Sequence, residues 1–564
     1  MNYPRSVCVA TSIFGLCLAA CAADDGSASS RTTGEGETSL GSGDGDGDNS
    51  GEGDGDNSGD GDGDGDSSGD GDGDGDNSGD GDGDGIKFDV AAEIDAGDHP
   101  PVDTCKVNDD GNAVGECEQQ APPMAFEPNV EWTYEGQGNE SQSVVTPVVG
   151  NLTDDNDDGE IDLCDVPDVV VVAYASLGGP AHLHVLDGAS GAVHWISQST
   201  VDFSAAPALG DIDGDGKSEI VTSSNGALVA FDNEGTLLWT GDSWTGSYIG
   251  AIALADLDND GDVEIYGDNA VYNHLGQKLW TNPHPIAQYP ATTAADLDDD
   301  GDLEIVFGNS AFHHDGTVMW YAPSVSPGFP QVADFDHDGE PEVLVTSPSG
   351  LSLIDTDGTV IYNGLTPTGA PASGLTWHRP AAVHDMDGDA MAEYAMSSAS
   401  TYTVYESDAT IVWSAAVADF SGVAAGTAFD FLGDGIAEAM YADETTMFIF
   451  DGNGDVLLQT PRTSATGTEY PVVADIDNDG SAEIVVVSNN FNQNQSPMVQ
   501  AIGDVEDRWI QARRIWNQHT YHVTNVREDG VIPQWEAPNW ETFNTFRTNA
   551  QIEGGGACIP PPPG

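Results

Sequence analysis

The sequence predicts an all-β chain: a β-propeller of eight four-stranded blades, closed by an N-terminal strand that completes the last blade. Three observations lead there. An Asp-rich loop between two apolar runs recurs along the chain, and most loops keep one of two fixed distances to a later aromatic or apolar residue. The last unit also lacks an outer strand that an unpaired one near residue 130 supplies.

The loops read DIDGDGKSE from Asp211, DLDNDGDVE from Asp256, DLDDDGDLE from Asp296, DFDHDGEPE from Asp334, DMDGDAMAE from Asp385, DFLGDGIAE from Asp430 and DIDNDGSAE from Asp475. An eighth, longer version runs from Asn151 to Asp165. Asp211 to Trp239, Asp334 to Tyr362, Asp385 to Trp413 and Asp430 to Leu458 share one spacing; Asp256 to Trp280 and Asp296 to Trp320 share a shorter one. A Gly four residues before the aromatic recurs in most units. Four short strands at a period of about forty residues mark a propeller blade, which cannot bury its sheet alone and must stack until the ring closes. Closure is legible at the ends. The unit at Asp475 has no outer strand, while Asn129 to Tyr134 resembles Leu237 to Thr240 and Lys278 to Thr281. Placing that strand in the last blade hides sheet edges that invite aggregation. Eight loops give eight blades, or seven if the atypical first unit is an insertion.

At these residues, roughly 125 to 505, the chain resembles the FG-GAP or VCBS repeat family, bacterial relatives of the integrin α-subunit propeller. The resemblance implies the propeller fold and a bacterial surface lipoprotein far more than any activity. Each loop closes on Glu where integrins use Asp, and the unit count is eight.

Asp at positions one, three and five, Gly at six and a carboxylate at nine suit calcium, because alternate residues turn oxygens inward and Gly permits the sharp turn. The expected ligands are Asp211, Asp213, Asp215 and Glu219; Asp256, Asp258, Asp260 and Glu264; Asp296, Asp298, Asp300 and Glu304; Asp334, Asp336, Asp338 and Glu342; and Asp475, Asp477, Asp479 and Glu483. The unit with Asp385, Asp387, Asp389 and Glu393 has Ala390 in place of Gly. Leu432 at position three removes a ligand from the Asp430 loop. In the first unit Asp154, Asn156, Asp158, Asp162 and Asp165 fit a twelve-residue, EF-hand-like loop of the dockerin type. About five to seven calcium ions are expected in all.

Residues 1–20 read as a lipoprotein signal peptide, with Arg5 ahead of an apolar run and Leu18-Ala19-Ala20-Cys21 as a lipobox; the run is too short to span a bilayer. Cys21 would carry the lipid, and Ala22 after it favours the outer membrane or cell surface by resemblance to known lipoproteins. Residues 21–98 form an acidic Gly/Asp spacer that has nothing to bury and repels itself. As a flexible coil its Gly/Asp tract spans on the order of 50 Å. Residues 99–124 form a small Cys-containing segment, and residues 506–564 an Arg- and Trp-containing cap and tail. Cys105, Cys117, Cys164 and Cys558 allow three connectivities for two disulfides; the local pair Cys105 with Cys117 is favoured, leaving Cys164 with Cys558.

A net charge of −85 with thirteen Lys and Arg excludes nucleic acid as a partner. The Trp series reads as blade-to-blade packing. His182 and His184 alternate on a strand without a carboxylate neighbour at metal spacing, and no Gly-x-Ser-x-Gly, His-Glu-x-x-His or phosphate loop occurs. The arginines of the cap are expected to pair with propeller carboxylates. The leading function is a calcium-stabilised, non-enzymatic binding or adhesion module for a protein or polysaccharide, touching the membrane through its lipid alone. The alternatives are a propeller-based polysaccharide lyase or hydrolase, with Thr376 to Arg379 and His384 as the candidate channel cluster, and a structural cell-surface protein.

Overall fold

The computed structural model describes residues 105–107, 115–122, 125–244, 250–366, 377–419, 423–490 and 496–561. The signal peptide, Cys21, the Gly/Asp spacer and Thr376 lie outside the described residues.

Eight sheets follow one another along the chain, and each central blade has its four strands in sequence order. Blade 2, for example, is built from Ala208–Gly210, Glu219–Ser224, Ala227–Phe231 and Leu237–Ser243. The first three strands are almost wholly buried, whereas outer strands such as Val360–Leu365 alternate half-buried and exposed residues. That contrast follows from position: inner strands have neighbouring blades on both faces, and the rim strand meets water on one.

Blade 8 combines Val472–Ala474, Glu483–Val487 and Val499–Asp504 with the N-terminal strand Pro128–Tyr134, which pairs antiparallel with Val499–Asp504. Ring closure by the N-terminal strand is therefore observed.

The spacing of Gly and Trp has a steric origin. Gly235 (φ +80°) and Gly276 (φ +70°) lie in the hairpins before the outer strands, and the register shifts just after them. Each sits on the aromatic ring of the preceding blade: a Cβ on Gly235 would lie 2.6 Å from Trp195, and one on Gly276 would lie 2.5 Å from Trp239. Indole N–H groups reach across as well, Trp195 Nε1 donating to Asn233 O at 2.9 Å and Trp280 Nε1 to His314 O at 2.8 Å. The closing strand obeys the same rule, Trp132 packing on Gly191 of blade 1.

The C-terminal segment is the hub of the ring. Trp516 bridges to Val149 of blade 1, Leu209 N of blade 2 donates to Asn517 O, and Leu254 N of blade 3 donates to Gln518 Oε1. Thr520 Oγ1 donates to Thr292 O beside blade 4, and Tyr470 OH beside blade 8 donates to His519 O. The chain then crosses the face that carries the Asp-rich loops, with Asp211 N donating to Gly530 O and Asn544 pairing with the backbone of Asp334.

Two expectations are corrected. The disulfides are Cys105–Cys164 and Cys117–Cys558, so the local pairing does not form: Cys105 is held beside the first loop, where Leu163 N donates to its carbonyl. Most arginines of the tail also do not reach loop carboxylates. Arg513 donates to Tyr521 OH, Val523 O and Val526 O, Arg514 pairs with Glu528, and Arg547 donates to His519 O and Ala381 O. Arg508 alone of these follows the expectation, pairing with Asp504 and Glu127. Among the described residues no helix is long and apolar enough to cross a membrane.

Candidate functional site: a ring of carboxylate loops

Each Asp-rich loop links the first and second strands of its blade, so topology places all of them on one face. Their backbone geometry is shared. The position-one Asp accepts from the amides of the turn, as Asp211 does from Gly214 N (2.7 Å) and Gly216 N (3.0 Å) and Asp256 from Gly261 N (2.8 Å). The position-nine Glu begins the second strand and accepts from the amide of position two, at 3.0 Å for Glu219 and Ile212, 2.9 Å for Glu304 and Leu297, and 2.8 Å for Glu342 and Phe335. Position six carries the positive φ that the recurrent Gly serves; in blade 6 Ala390 takes φ +70°.

The folding of these loops brings carboxylates together. Ligand atoms of Asp211, Asp213 and Glu219, and of Asp385, Asp387, Asp389 and Glu393, lie within 4.8 Å of one another. Burial, and after it the aspartates of the same loop, pushes Glu219 and Glu264 up to about 8 and Glu393 up to about 9. Glu393 Oε1, Asp387 Oδ1 and Asp475 Oδ1 are buried without a hydrogen-bond partner. Converging, partly unsatisfied carboxylate oxygens fit a hard divalent cation.

The first unit differs. Asp154 accepts from Asp158 N and Gly159 N, and buried Asp165 accepts from the amides of Asp155, Asn156 and Asp162, so its loop folds as a unit of its own. Asp158 Oδ1 accepts from Glu160 N, and Asp162 Oδ1 from Cys164 N.

Several groups escaped the sequence reasoning. Glu140 joins the histidine pair, its carboxylate 2.7 Å from His182 Nδ1 and 3.1 Å from His184 Nε2, while Tyr134 OH lies 2.8 Å from His184 Nδ1. His313 Nδ1 stands 2.9 Å from Glu304 Oε1 in the blade 4 loop. His194 collects three aspartates in blade 1. One signal was available: the residue before the outer aromatic is Leu238, Leu279, Met319, Ile361, Val412 or Leu457 in six units, but His194 and Glu131 in two.

Of the candidate channel cluster, Trp377 to Arg379 are packed away, while half-buried His384 lines a groove on the loop face. Trp377, His378 and Arg379 are buried, Arg379 Nε donates to Asp419 Oδ2 at 3.0 Å, and His378 stacks on Phe329. Burial and the adjacent Arg379 hold the His378 imidazole down at about 4. On the loop face a groove of 790 Å³ lies between the Asp334 and Asp385 loops, walled by Trp540, Phe543 and Pro560 of the C-terminal segment. Trp535 stands nearby in the chain with 64% of its surface exposed.

Ring, repeats and loops define an eight-bladed β-propeller carrying FG-GAP-like repeats; the FG-GAP-like repeat family matches residues 211–267 and 430–486. Among solved structures, the V. cholerae biofilm matrix protein Bap1 is similar with a TM-score of 0.66 and 21% identity, over 77% of this chain and 100% of that one. A Bacillus licheniformis rhamnogalacturonan lyase is similar at a TM-score of 0.44 and 16% identity, over 78% of this chain and 82% of that one. No curated protein matches the sequence.

Proposed function

We propose that this propeller is a calcium-stabilised, extracellular binding or adhesion module for a protein or polysaccharide, held to the outer membrane or cell surface by a lipid on Cys21 and spaced from it by the Gly/Asp tract. The observation that carries the reading is the division of the molecule into a filled hub and an elaborated face. The centre, where a propeller enzyme builds its site, is occupied by Trp516, Asn517, Gln518 and His519 in contact with the surrounding blades. The carboxylate loops, the groove and Trp535 belong to the loop face. Glu219 with Asp211, Asp213 and Asp215, and the corresponding residues of the other loops, would hold calcium, which supplies the positive charge those oxygens lack. Two disulfides favour an oxidising compartment.

The test is a polysaccharide and matrix-protein binding screen with the protein in calcium or in chelator, with ultraviolet monitoring for unsaturated lyase products. Calcium-dependent retention without product supports a binding module. Release of unsaturated product would establish a lyase, and retention of nothing but the protein itself would make it a structural coat.

A further inference from the structure

Blade 1 holds a group of side chains unlike those of the other loops. His194 Nε2, on the outer strand, lies 3.4 Å from Asp168 Oδ1, 3.7 Å from Asp155 Oδ1 and 3.8 Å from Asp187 Oδ2. Asp168 begins the second strand and replaces the position-nine Glu: Leu152 N donates to its Oδ2 at 2.9 Å as Ile212 N does to Glu219. Its other oxygen, Oδ1, has no hydrogen-bond partner although Asp168 is fully buried, and it faces the imidazole. Asp187 ends the third strand, and Asp155 comes from the long first loop. Ligand atoms of Asp155, Asp187 and His194 fall within 4.8 Å of one another.

We propose that Asp155, Asp168, Asp187 and His194 form a zinc-class divalent metal site, separate from the carboxylate loops of the other blades. A tetrahedral ion with bonds of about 2.0–2.1 Å needs ligand atoms roughly 3.3–3.4 Å apart; the separations from His194 Nε2, 3.4–3.8 Å, are already close to that, while the aspartate oxygens must draw together around the ion. The imidazole nitrogen decides the class of ion, since calcium prefers oxygen and zinc-class ions accept nitrogen readily. The aligned residue in six other blades is apolar, so an imidazole on the outer strand is particular to this blade; His313, which meets the blade 4 loop, comes from the hairpin ahead of that strand. The bound ion fastens the long first loop, through Asp155, to the blade sheet, whatever the propeller binds.

The experiment titrates zinc into the full-length protein held in excess calcium, by calorimetry, with cobalt as a spectroscopic substitute. One zinc equivalent should bind. His194→Ala and Asp187→Asn should each weaken it by more than about tenfold, with the calcium count of the His194 variant unchanged, while His182→Ala leaves zinc binding intact. The cobalt form of the wild type should show a paramagnetically shifted imidazole N–H, which tests ligation without any variant. Three results overturn the proposal: no zinc bound beside calcium, leaving His194 as an imidazolium paired with its aspartates; zinc binding that survives His194→Ala; or loss of zinc in His182→Ala, which would place the ion at Glu140. Absence of the shifted imidazole signal overturns it as well.

Discussion

The loops at Asp211 in blade 2 and at Asp430 in blade 7 have one backbone and two different surroundings. In both, the first Asp accepts from turn amides and the ninth Glu accepts from the second amide, at 3.0 Å in each case. In blade 2 the third and fifth positions are exposed aspartates. In blade 7 the fifth is again an exposed aspartate, Asp434, but the third is half-buried Leu432, and protein covers that side of the loop. Phe431 packs on Trp509 and Phe126, Ile510 N donates to Phe431 O, and Ala121 N donates to Leu432 O. Beside this cover Cys117–Cys558 joins the segment ahead of the closing strand to the C-terminal segment, with Glu553 accepting from Glu118 N. The turn is thus a backbone device built on its first Asp and ninth Glu, with a positive φ at position six that Gly serves in most blades and Ala390 in blade 6. What neutralises or shields its charge is a separate choice: on the proposed reading a cation in blade 2, and apolar cover in blade 7.

The largest effect that can break this comparison is calcium removal. An ion held at a thousand times its dissociation constant stabilises the fold by about 4 kcal/mol, so chelation should lower Tm more than any single substitution. Hydrogen exchange should then show the Asp211 loop opening while the Asp430 loop stays protected; equal deprotection of both would dissolve the distinction. The converse lesion is Cys558→Ser, with an expected loss of about 4 kcal/mol measured by denaturant unfolding, and with blade 7 rather than blade 2 exposed.

Acidity separates proton from ion. Burial raises Glu219 from 4.5 to about 8 in the metal-free fold, so the stability this group contributes is complete below its unfolded value and disappears as pH rises through about 8. Chelated protein should therefore gain Tm as pH falls from about 8.5 to about 6, and calcium-loaded protein should lose it as protons displace the ion. Parallel slopes would deny that calcium takes the place of the protons.

A sharper pair is Glu219→Gln against Glu438→Gln. Burial, with Asp430 next, holds Glu438 far above the usual carboxylate range, so the amide should change stability by less than about 1 kcal/mol. Glu219→Gln should lose one bound calcium by calorimetry. The smallest effect is Ala390→Gly, which relieves φ +70° at a non-glycine residue and should add about 1 kcal/mol to stability.

Blades and loops were legible because they repeat: Gly235 with Trp239 and Gly276 with Trp280 recur at one spacing, and the orphan strand around Trp132 matches the strand that blade 8 lacks. The hub was not. Trp516 to His519 has no period, and its partners are spread over blades far apart in sequence and are largely backbone groups, so no local pattern announces them. The disulfides escaped for a related reason, since a separation of 441 residues between Cys117 and Cys558 leaves no trace in spacing. His194 was hidden inside an apolar register that only alignment of the blades reveals.

The Cys105–Cys164 bond also fixes how tension travels. A pull applied ahead of residue 105 passes through the sulfur atoms to Cys164 and enters blade 1 directly, so residues 106–163 form a slack covalent bypass. The closing strand Pro128–Tyr134 lies within that bypass. The seam that completes the ring is therefore shielded from such a pull, and reducing this one bond moves the load to residues 106–117 and the Cys117–Cys558 bond, so that both bonds must open before the closing strand carries it.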